Sequence, residues 1–228
     1  MRETEQRPRD VADVVADLTE IGQRLAPGDG VGAFNGMYLL VTELVGRQLH
    51  EGYFADPGAM TALDVTFAGL YLAAVEAATA DERVPQAWRP LFARRHDPAV
   101  LPIQFAIAGM NAHINHDLPV AVVATCRAIG KAPDEVHADY LKVNALLASV
   151  ERQVRESFEN GVVRDADRAA ARVLDRIGAW SIDSARDAAW VNADVLWRLR
   201  DAAFAARAFE DTLAGTVGLA TATLLTPV

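Results

Sequence analysis

The stretch LPIQFAIAGMNAHINHDLPVAVVATCRAI, residues 101–129, is almost free of charge and far longer than a typical β-strand. It therefore predicts a helical segment that is covered on most of its sides. Its centre, residues 111–119, nevertheless holds several hydrogen-bonding side chains. Burying such groups is unfavourable unless they are paired or used in chemistry. We expect a polar site inside an apolar helical core, drawn from Asn111, His113, Asn115, His116 and Asp117. Not all five are expected to reach one pocket, and whether His116 does so is left open.

Pro119 lies at the end of this polar cluster and must disturb the helix. Proline has no N–H, so the carbonyl of Asn115 loses its helical partner. The sequence predicts either a kink, or one helix that ends near Asp117 and another that begins at Pro119. Both alternatives place irregular backbone beside the polar side chains.

The rest of the chain repeats apolar residues at helical spacing, interrupted by turn-forming Gly and Pro. No period-2 pattern is long enough for a sheet. We predict a single all-α domain over residues 1–228, a bundle of about seven or eight helices with residues 1–10 as a flexible tail. Besides the central segment, the predicted helices cover residues 11–25, 35–50, 58–80, 136–161, 169–180 and 184–207, with a short helix near Trp88 and a last helix or buried strand over 212–228.

Composition restricts the partners and the compartment. The chain has 228 residues, 51% hydrophobic content, a net charge of -9 and a pI near 5.0. This charge does not favour nucleic acid or an anionic membrane surface as a partner. The one cysteine, Cys126, lies in an apolar run, so no disulfide forms within the chain and a cytoplasmic location is expected. We also expect neither a secretion signal nor an apolar segment of the roughly 18 residues that span a bilayer.

His113 and Asp117 are four residues apart, so on one helix they share a face. One use of this pair is acid–base catalysis, in which the carboxylate fixes the imidazole tautomer. Another is metal ligation, with further ligands from other helices. A third interpretation is structural: His113, Asn115 and Asp117 satisfy backbone groups that the Pro119 kink exposes.

Other helices offer polar groups that could complete a site. Asp64 lies between Leu63 and Phe67 on an apolar stripe, so it needs a partner, either His113 or Arg186. Asp139 would be a further ligand in a metal site made with His113, Asp117 and Asp64. The remaining candidates for substrate binding are Asn111, Asn115, Asn144, Tyr38, Tyr71, Trp190 and Arg186, with Phe67 and Met110 in the apolar wall.

Several familiar signatures are missing from the sequence. It contains no phosphate loop, no dinucleotide-binding glycine fingerprint, no Gly-x-Ser-x-Gly elbow and no Cys-x-x-Cys pair. The sequence therefore implies no organic cofactor, and a divalent metal is the one cofactor left open.

The run from Gly109 to Pro119 resembles the core motif of a family common in actinobacteria that is catalogued as a domain of unknown function. The resemblance also includes residues 63–68, 88–90 and Asn144, and it spans roughly residues 35–197. It implies no particular reaction. The His-x-x-x-Asp spacing before a proline is also similar to a ligand segment of the helical zinc phospholipase C and P1 nuclease group. Those enzymes use more histidines than the five of this chain supply, so a trinuclear site is not expected.

Three functions remain as hypotheses. The first is an enzyme of the lyase, cyclase or hydrolase type that acts on a small, mostly apolar molecule, with His113 and Asp117 as an acid–base pair and Asp64 as a second carboxylate. The second is a metal-dependent hydrolase that uses the His-x-x-x-Asp pair with Zn, Fe or Mn. The third is a non-catalytic helical module that binds a ligand or a partner.

Overall fold

The structure, a computed structural model, describes residues 8–162 and 181–227, with residues 148–162 described by their backbone alone. The predicted helix over 169–180 and residues 1–7 of the predicted amino-terminal tail lie outside this description. The described residues form no β-strand. They form α1 (Val11–Arg24), α2 (Gly30–His50), α3 (Pro57–Thr79), α4 (Arg89–Arg94), α5 (Pro102–Ala112), a π-helical turn (His113–Asp117), α6 (Leu118–Ile129), α7 (Pro133–Val162), α8 (Ile182–Leu199) and α9 (Ala203–Leu224).

The predicted all-α class is confirmed. Since α5, the π-helical turn and α6 follow one another without a break, the described chain contains eight helical rods, within the predicted number. One hydrophobic core joins side chains from all of these rods. The segment 101–129 lies at its centre, and every residue from Ile103 to Ile114 is buried. This burial agrees with the helix covered on most sides that its composition predicts.

Aspartate residues define where several helices begin. The side chains of Asp10, Asp29 and Asp56 each accept a hydrogen bond from a backbone N–H in the first turn of α1, α2 and α3, respectively. The cap at Asp29 corrects one prediction, because α2 begins at Gly30 and not at Asn35. Asp29 is also held by a bidentate ion pair with Arg95. This pair ties the start of α2 to the end of α4.

Two glycines bring α2 and α5 into close contact. Gly30 faces the ring of Phe105, and Gly109 faces the ring of Phe34, so closely that a Cβ atom on either glycine would overlap the facing ring. Phe34 in turn contacts the ring of His113, with centroids 5.7 Å apart. The small residue at 109 thus sets the position of the polar turn relative to α2.

The central helix does not break at Pro119. Residues 113–117 form the π-helical turn, in which the Leu118 N–H donates to the carbonyl of His113, five residues earlier. The proline occupies the first turn of α6, where a missing N–H is tolerated. The prediction of irregular backbone at His113 and Asp117 is confirmed, but its form is a π turn rather than a kink or two separate helices.

The helix predicted over residues 184–207 is wrong at its end. α8 stops at Leu199, and α9 starts at Ala203 after a short turn in which the N–H of Ala202 donates to the carbonyl of Leu199. This turn leads α9 back across α4 and α5. Phe204, which the prediction placed inside the helix over 184–207, is 90% exposed at the start of α9. The tail from residue 212, for which helix and strand were both open, is helical up to Leu224.

The α3 helix is long and apolar enough to cross a membrane by length and composition, with a mean hydropathy of 1.5 over its most apolar window. The expectation that no segment reaches this length is therefore wrong. Of the residues in this most apolar window, 33% are buried. The α3 helix packs against α6, α1, α2 and α7. A core helix of a soluble protein passes the same test, so α3 does not by itself assign the protein to a membrane.

Candidate active site

His113 is the central residue of the candidate site. Its ring is 2% exposed and lies against Phe67, with centroids 3.5 Å apart and an angle of 9° between the planes. Nδ1 lies 2.9 Å from Oδ2 of Asp117. Nε2, the other ring nitrogen, is buried and has no hydrogen-bond partner among the described residues. Burial lowers the pKa of His113 below its usual range, although the hydrogen bond to Asp117 opposes this shift. We therefore assign a neutral imidazole at pH 7.

Asp117 lies behind His113 and holds it in place. Its Oδ2 accepts from the Trp88 indole N–H at 2.8 Å, and its Oδ1 lies 2.7 Å from Nδ1 of His116. Burial would raise the pKa of Asp117, but the hydrogen bonds from His113 and His116 lower it below its usual range. An ionised carboxylate can only accept, so Nδ1 of His113 carries the proton and Nε2 presents a lone pair.

Asp64 lies on α3, one turn before Phe67. Its Oδ2 is inaccessible to solvent and has no hydrogen-bond partner in the described part of the chain. Burial raises the pKa of Asp64 to about 7, so protonated and ionised forms coexist near neutral pH. An isolated carboxylate with this property is a suitable general acid or base.

Tyr38 lies on α2 with its ring edge against His113, at a centroid distance of 4.6 Å. Its hydroxyl is buried and is left without a partner by the described residues, since the neighbouring Thr42 hydroxyl donates to the Tyr38 carbonyl. Burial and the charge of Asp64 both raise the pKa of Tyr38 well above its usual value. The phenol is therefore neutral at pH 7 and is available as a hydrogen-bond donor.

These three residues line one cavity, with a volume of about 110 Å³. Only four buried polar side-chain atoms lack a partner within the described ranges, and three of them belong to Tyr38, Asp64 and His113. The wall is otherwise mainly apolar and comes from α2, α3, the central helix, α7 and α8, including Met37, Val41, Met60, Leu63, Met110 and Leu147. The arrangement provides a lone-pair acceptor, a carboxyl group and a phenol donor in an apolar enclosure.

Asn111 and Asn115, predicted to bind substrate, lie away from the cavity. Asn111 Nδ2 donates to the Thr221 hydroxyl at 3.0 Å and to the Val217 carbonyl at 3.3 Å, both on α9. Asn115 donates to Oδ1 of Asn111 at 3.1 Å. These amides join the central helix to α9, and neither is among the residues that line the cavity, where the substrate donors were expected.

The four predicted metal ligands do not form one cluster, although His113 and Asp117 are in contact. Asp139 accepts from the backbone N–H groups of Ala55 and Asp56 and pairs with Lys142, so it fastens the start of α3 to α7. The oxygens of Asp117 face N–H donors. No group of three or more His, Cys, Asp or Glu that could hold a metal ion occurs among the described residues. The four-residue set His113, Asp117, Asp64 and Asp139 is therefore corrected.

The other predicted wall residues divide into two groups. Tyr71 donates to Asn35 at 3.1 Å, and Trp190 stacks on His137 at 4.1 Å, so both pack outside the cavity. Arg186 does line the cavity. Its Nε donates to Asn144, and no ion pair joins it to Asp64, one of the two predicted partners of that carboxylate.

Sequence reasoning assigned no role to Trp88, and it left open whether His116 reaches the site. Both contact Asp117 and keep its carboxylate occupied. A buried tryptophan needs an acceptor for its indole N–H, and Asp117 is a buried carboxylate that needs donors. The need of each buried group for a partner could have indicated this contact from the sequence. Trp88 and Asp117 are nevertheless 29 residues apart, and only the fold brings them together.

Comparison with known proteins gives one match. A family model described as "Family of unknown function (DUF5995)" matches residues 11–227. This match covers nearly the whole chain and agrees with the resemblance based on the residue 109–119 motif. No curated protein and no solved structure matches the chain.

Proposed function

This chain belongs to that family of unknown function, and we propose that it is a small-molecule enzyme that performs acid–base chemistry on a mostly apolar organic substrate. The observation that carries the proposal is the presence of three unpartnered polar groups, on His113, Asp64 and Tyr38, around one apolar cavity. Buried polar groups are normally paired, and exceptions are typical of functional sites.

His113 is the general base in this proposal. Asp117 holds the proton on Nδ1, which leaves the Nε2 lone pair free to accept a proton from the substrate. The carboxylate then stabilises the imidazolium that forms. Because burial favours the neutral ring, the base is unprotonated at neutral pH and ready to react.

Asp64 is the general acid, and Tyr38 is a hydrogen-bond donor to the substrate oxygen. A carboxyl with a pKa of about 7 still holds its proton in a large share of molecules at neutral pH. Proton removal at one position and donation at another is the pattern of a lyase or cyclase, and hydrolysis uses the same groups with a water molecule. The apolar wall favours a substrate with few polar groups.

A purely structural role fits only part of the polar cluster. Asn111, Asn115 and Asp117 have protein partners, which supports that interpretation for them. The atoms of His113 and Asp64 that have no partner among the described residues contribute no hydrogen bond to that part of the fold, and buried polar atoms left unpaired are destabilising. Function is the usual reason for keeping such groups.

The experiment is proton exchange in D₂O with a panel of small apolar carbonyl compounds, followed by mass spectrometry. We expect the wild type to incorporate deuterium into at least one compound, and His113→Gln to lose this activity. His50→Gln, which changes an exposed histidine on α2, is the matched control and should exchange like the wild type.

The stability of His113→Gln separates the two interpretations. A site residue should leave the free energy of unfolding near the wild-type value or raise it. If His113 is a structural residue, the free energy of unfolding of His113→Gln should fall by on the order of 2 to 4 kcal/mol. That loss, together with unchanged exchange rates in His113→Gln, would contradict the proposal.

A further inference from the structure

A buried arginine lines the same cavity. Arg186 on α8 is 4% exposed. Its Nε donates to Oδ1 of Asn144, and one Nη donates to the Tyr140 carbonyl at 2.9 Å. The guanidinium carbon lies 4.1 Å from the centre of the Tyr140 ring. All of these contacts are with neutral groups, so they orient the cation without balancing its charge.

No carboxylate among the described residues forms an ion pair with Arg186. Asp183 and Asp187 flank it on α8 but are exposed to solvent. Asp64, the acidic residue that lines the cavity, has an oxygen for which the described residues supply no partner. Asp183 and Asp187 interact with the guanidinium only across solvent-exposed positions. A buried cation that is only weakly compensated is unfavourable, so an anion bound in the cavity would stabilise it.

The guanidinium has donors to spare. Arginine carries five N–H groups, and among the described residues the contacts with Asn144 and Tyr140 use two of them. The others are suited to a planar anion with two oxygens, because such an anion accepts parallel hydrogen bonds from guanidinium.

We propose that the cavity binds a small apolar carboxylic acid whose carboxylate pairs with Arg186. The inference rests on the proposed function, because it names the substrate class of that same site. The cavity of about 110 Å³ is smaller than the roughly 150 Å³ that hold benzene in an engineered cavity. The acid therefore has a short branched or cyclic apolar body, which packs against residues such as Met37, Met60 and Leu63.

The other titratable groups of the cavity are compatible with an anion. Burial raises the pKa of Asp64 to about 7, so below neutral pH this carboxyl is mostly uncharged and does not repel the ligand. Tyr38 is neutral, and the neutral His113 adds no charge. At pH 6 the guanidinium is then the dominant charge at the cavity.

The test compares acids with neutral ligands of the same shape. Binding of 3-methylbutanoate and cyclopropanecarboxylate is measured at pH 6 by ligand-observed NMR against 3-methylbutanamide and cyclopropanecarboxamide. In the wild type we expect at least one acid to bind at least tenfold more tightly than its amide. Arg186→Met should remove this preference. Arg198→Met, which changes an exposed arginine on the same helix paired with Asp194, should keep it.

The outcomes distinguish this inference from the proposed function. Equal binding of acids and amides to the wild type would overturn the carboxylate assignment and leave a functional apolar cavity. Tighter binding of 3-methylbutylamine than of either acid would also overturn it. If none of these compounds binds, the carboxylate assignment fails, whereas the proposed function is decided separately by the proton-exchange experiment. If Arg186→Met does not fold, the test compares the acid-to-amide ratio of binding affinities in the wild type with that in Arg186→Lys. Lysine keeps the charge but loses the paired donors, so this ratio should be lower in Arg186→Lys.

Discussion

The imidazole of His113 lies parallel to the phenyl ring of Phe67, 3.5 Å from centroid to centroid. Phe67 covers one face of the histidine, and Tyr38 packs its ring edge-on against it at 4.6 Å. Because α3 carries both Phe67 and Asp64, one helix supplies the cover of the base and the carboxyl group of the cavity. This stacking contributes to the burial that keeps His113 neutral.

We predict that Phe67→Leu raises the pKa of His113 toward 6.5, because the smaller side chain admits water to the imidazole. Titration of the His113 ring nitrogens by NMR measures this. Phe54→Leu, at a buried phenylalanine whose described ring contact is with Tyr53, should leave that pKa unchanged. An unchanged pKa in Phe67→Leu would show that the ring does not control the base.

Asp64 should make the protein less stable as the pH rises. Its folded-state pKa is about 7, above the usual 3.8, so between these values the folded protein holds a proton that the unfolded chain has lost. Stability from this group is therefore complete below about pH 4 and is lost on the way to pH 7, by on the order of 4 kcal/mol as an upper limit.

We predict that Asp64→Asn is more stable than the wild type above pH 7 and that this advantage shrinks as the pH falls to 4. Urea unfolding at a series of pH values measures it. Asp194→Asn, at an exposed aspartate, should show no comparable trend. A difference between Asp64→Asn and wild type that does not vary with pH would contradict the burial of an unpaired carboxyl.

Asp117, a buried aspartate with hydrogen-bond donors around it, should behave in the opposite way to Asp64. Asp117 faces N–H groups of Trp88, His113 and His116, so the amide of Asp117→Asn must turn its own N–H groups toward at least one donor. We predict a loss of roughly 1–3 kcal/mol for each donor left unpaired. Urea unfolding at pH 7 gives the comparison with Asp64→Asn, which should be stabilised. Equal effects of the two substitutions would refute the distinction between a positioning and a cavity-lining carboxylate.

The sequence predicted the features that depend on residues close together in the chain. Leu63, Asp64 and Phe67 have helical spacing, so the inward position of Asp64 followed from its apolar neighbours. His113 and Asp117 are one turn apart, so their contact followed as well. The turn at residues 200–202 could not be predicted, because Arg200, Asp201 and Ala202 include neither Gly nor Pro and are compatible with a continuous helix.

Contacts between segments that are distant in the chain could not be predicted from the sequence. Spacing shows that Asn111 and Asn115 share a face, but not that α9 covers it. The indole of Trp88 reaches Asp117 across 29 residues, and no local pattern indicates that pairing. The division of the polar cluster into a structural part and a cavity part is therefore a property of the tertiary structure.

The contact between α2 and α5 gives a last prediction. Gly109 faces Phe34 so closely that a methyl group on Gly109 would overlap the ring. A methyl group on Gly36 of α2 would meet open space. We predict that Gly109→Ala forces the helices apart and loses about 1–3 kcal/mol. Gly36→Ala should gain about 0.5–1 kcal/mol, since alanine restricts the unfolded chain and favours the helix. Phe34 also contacts His113, so the Gly109→Ala variant alone should shift the NMR signals of that ring. Equal stability of the two variants would contradict the packing that places the polar turn against α2.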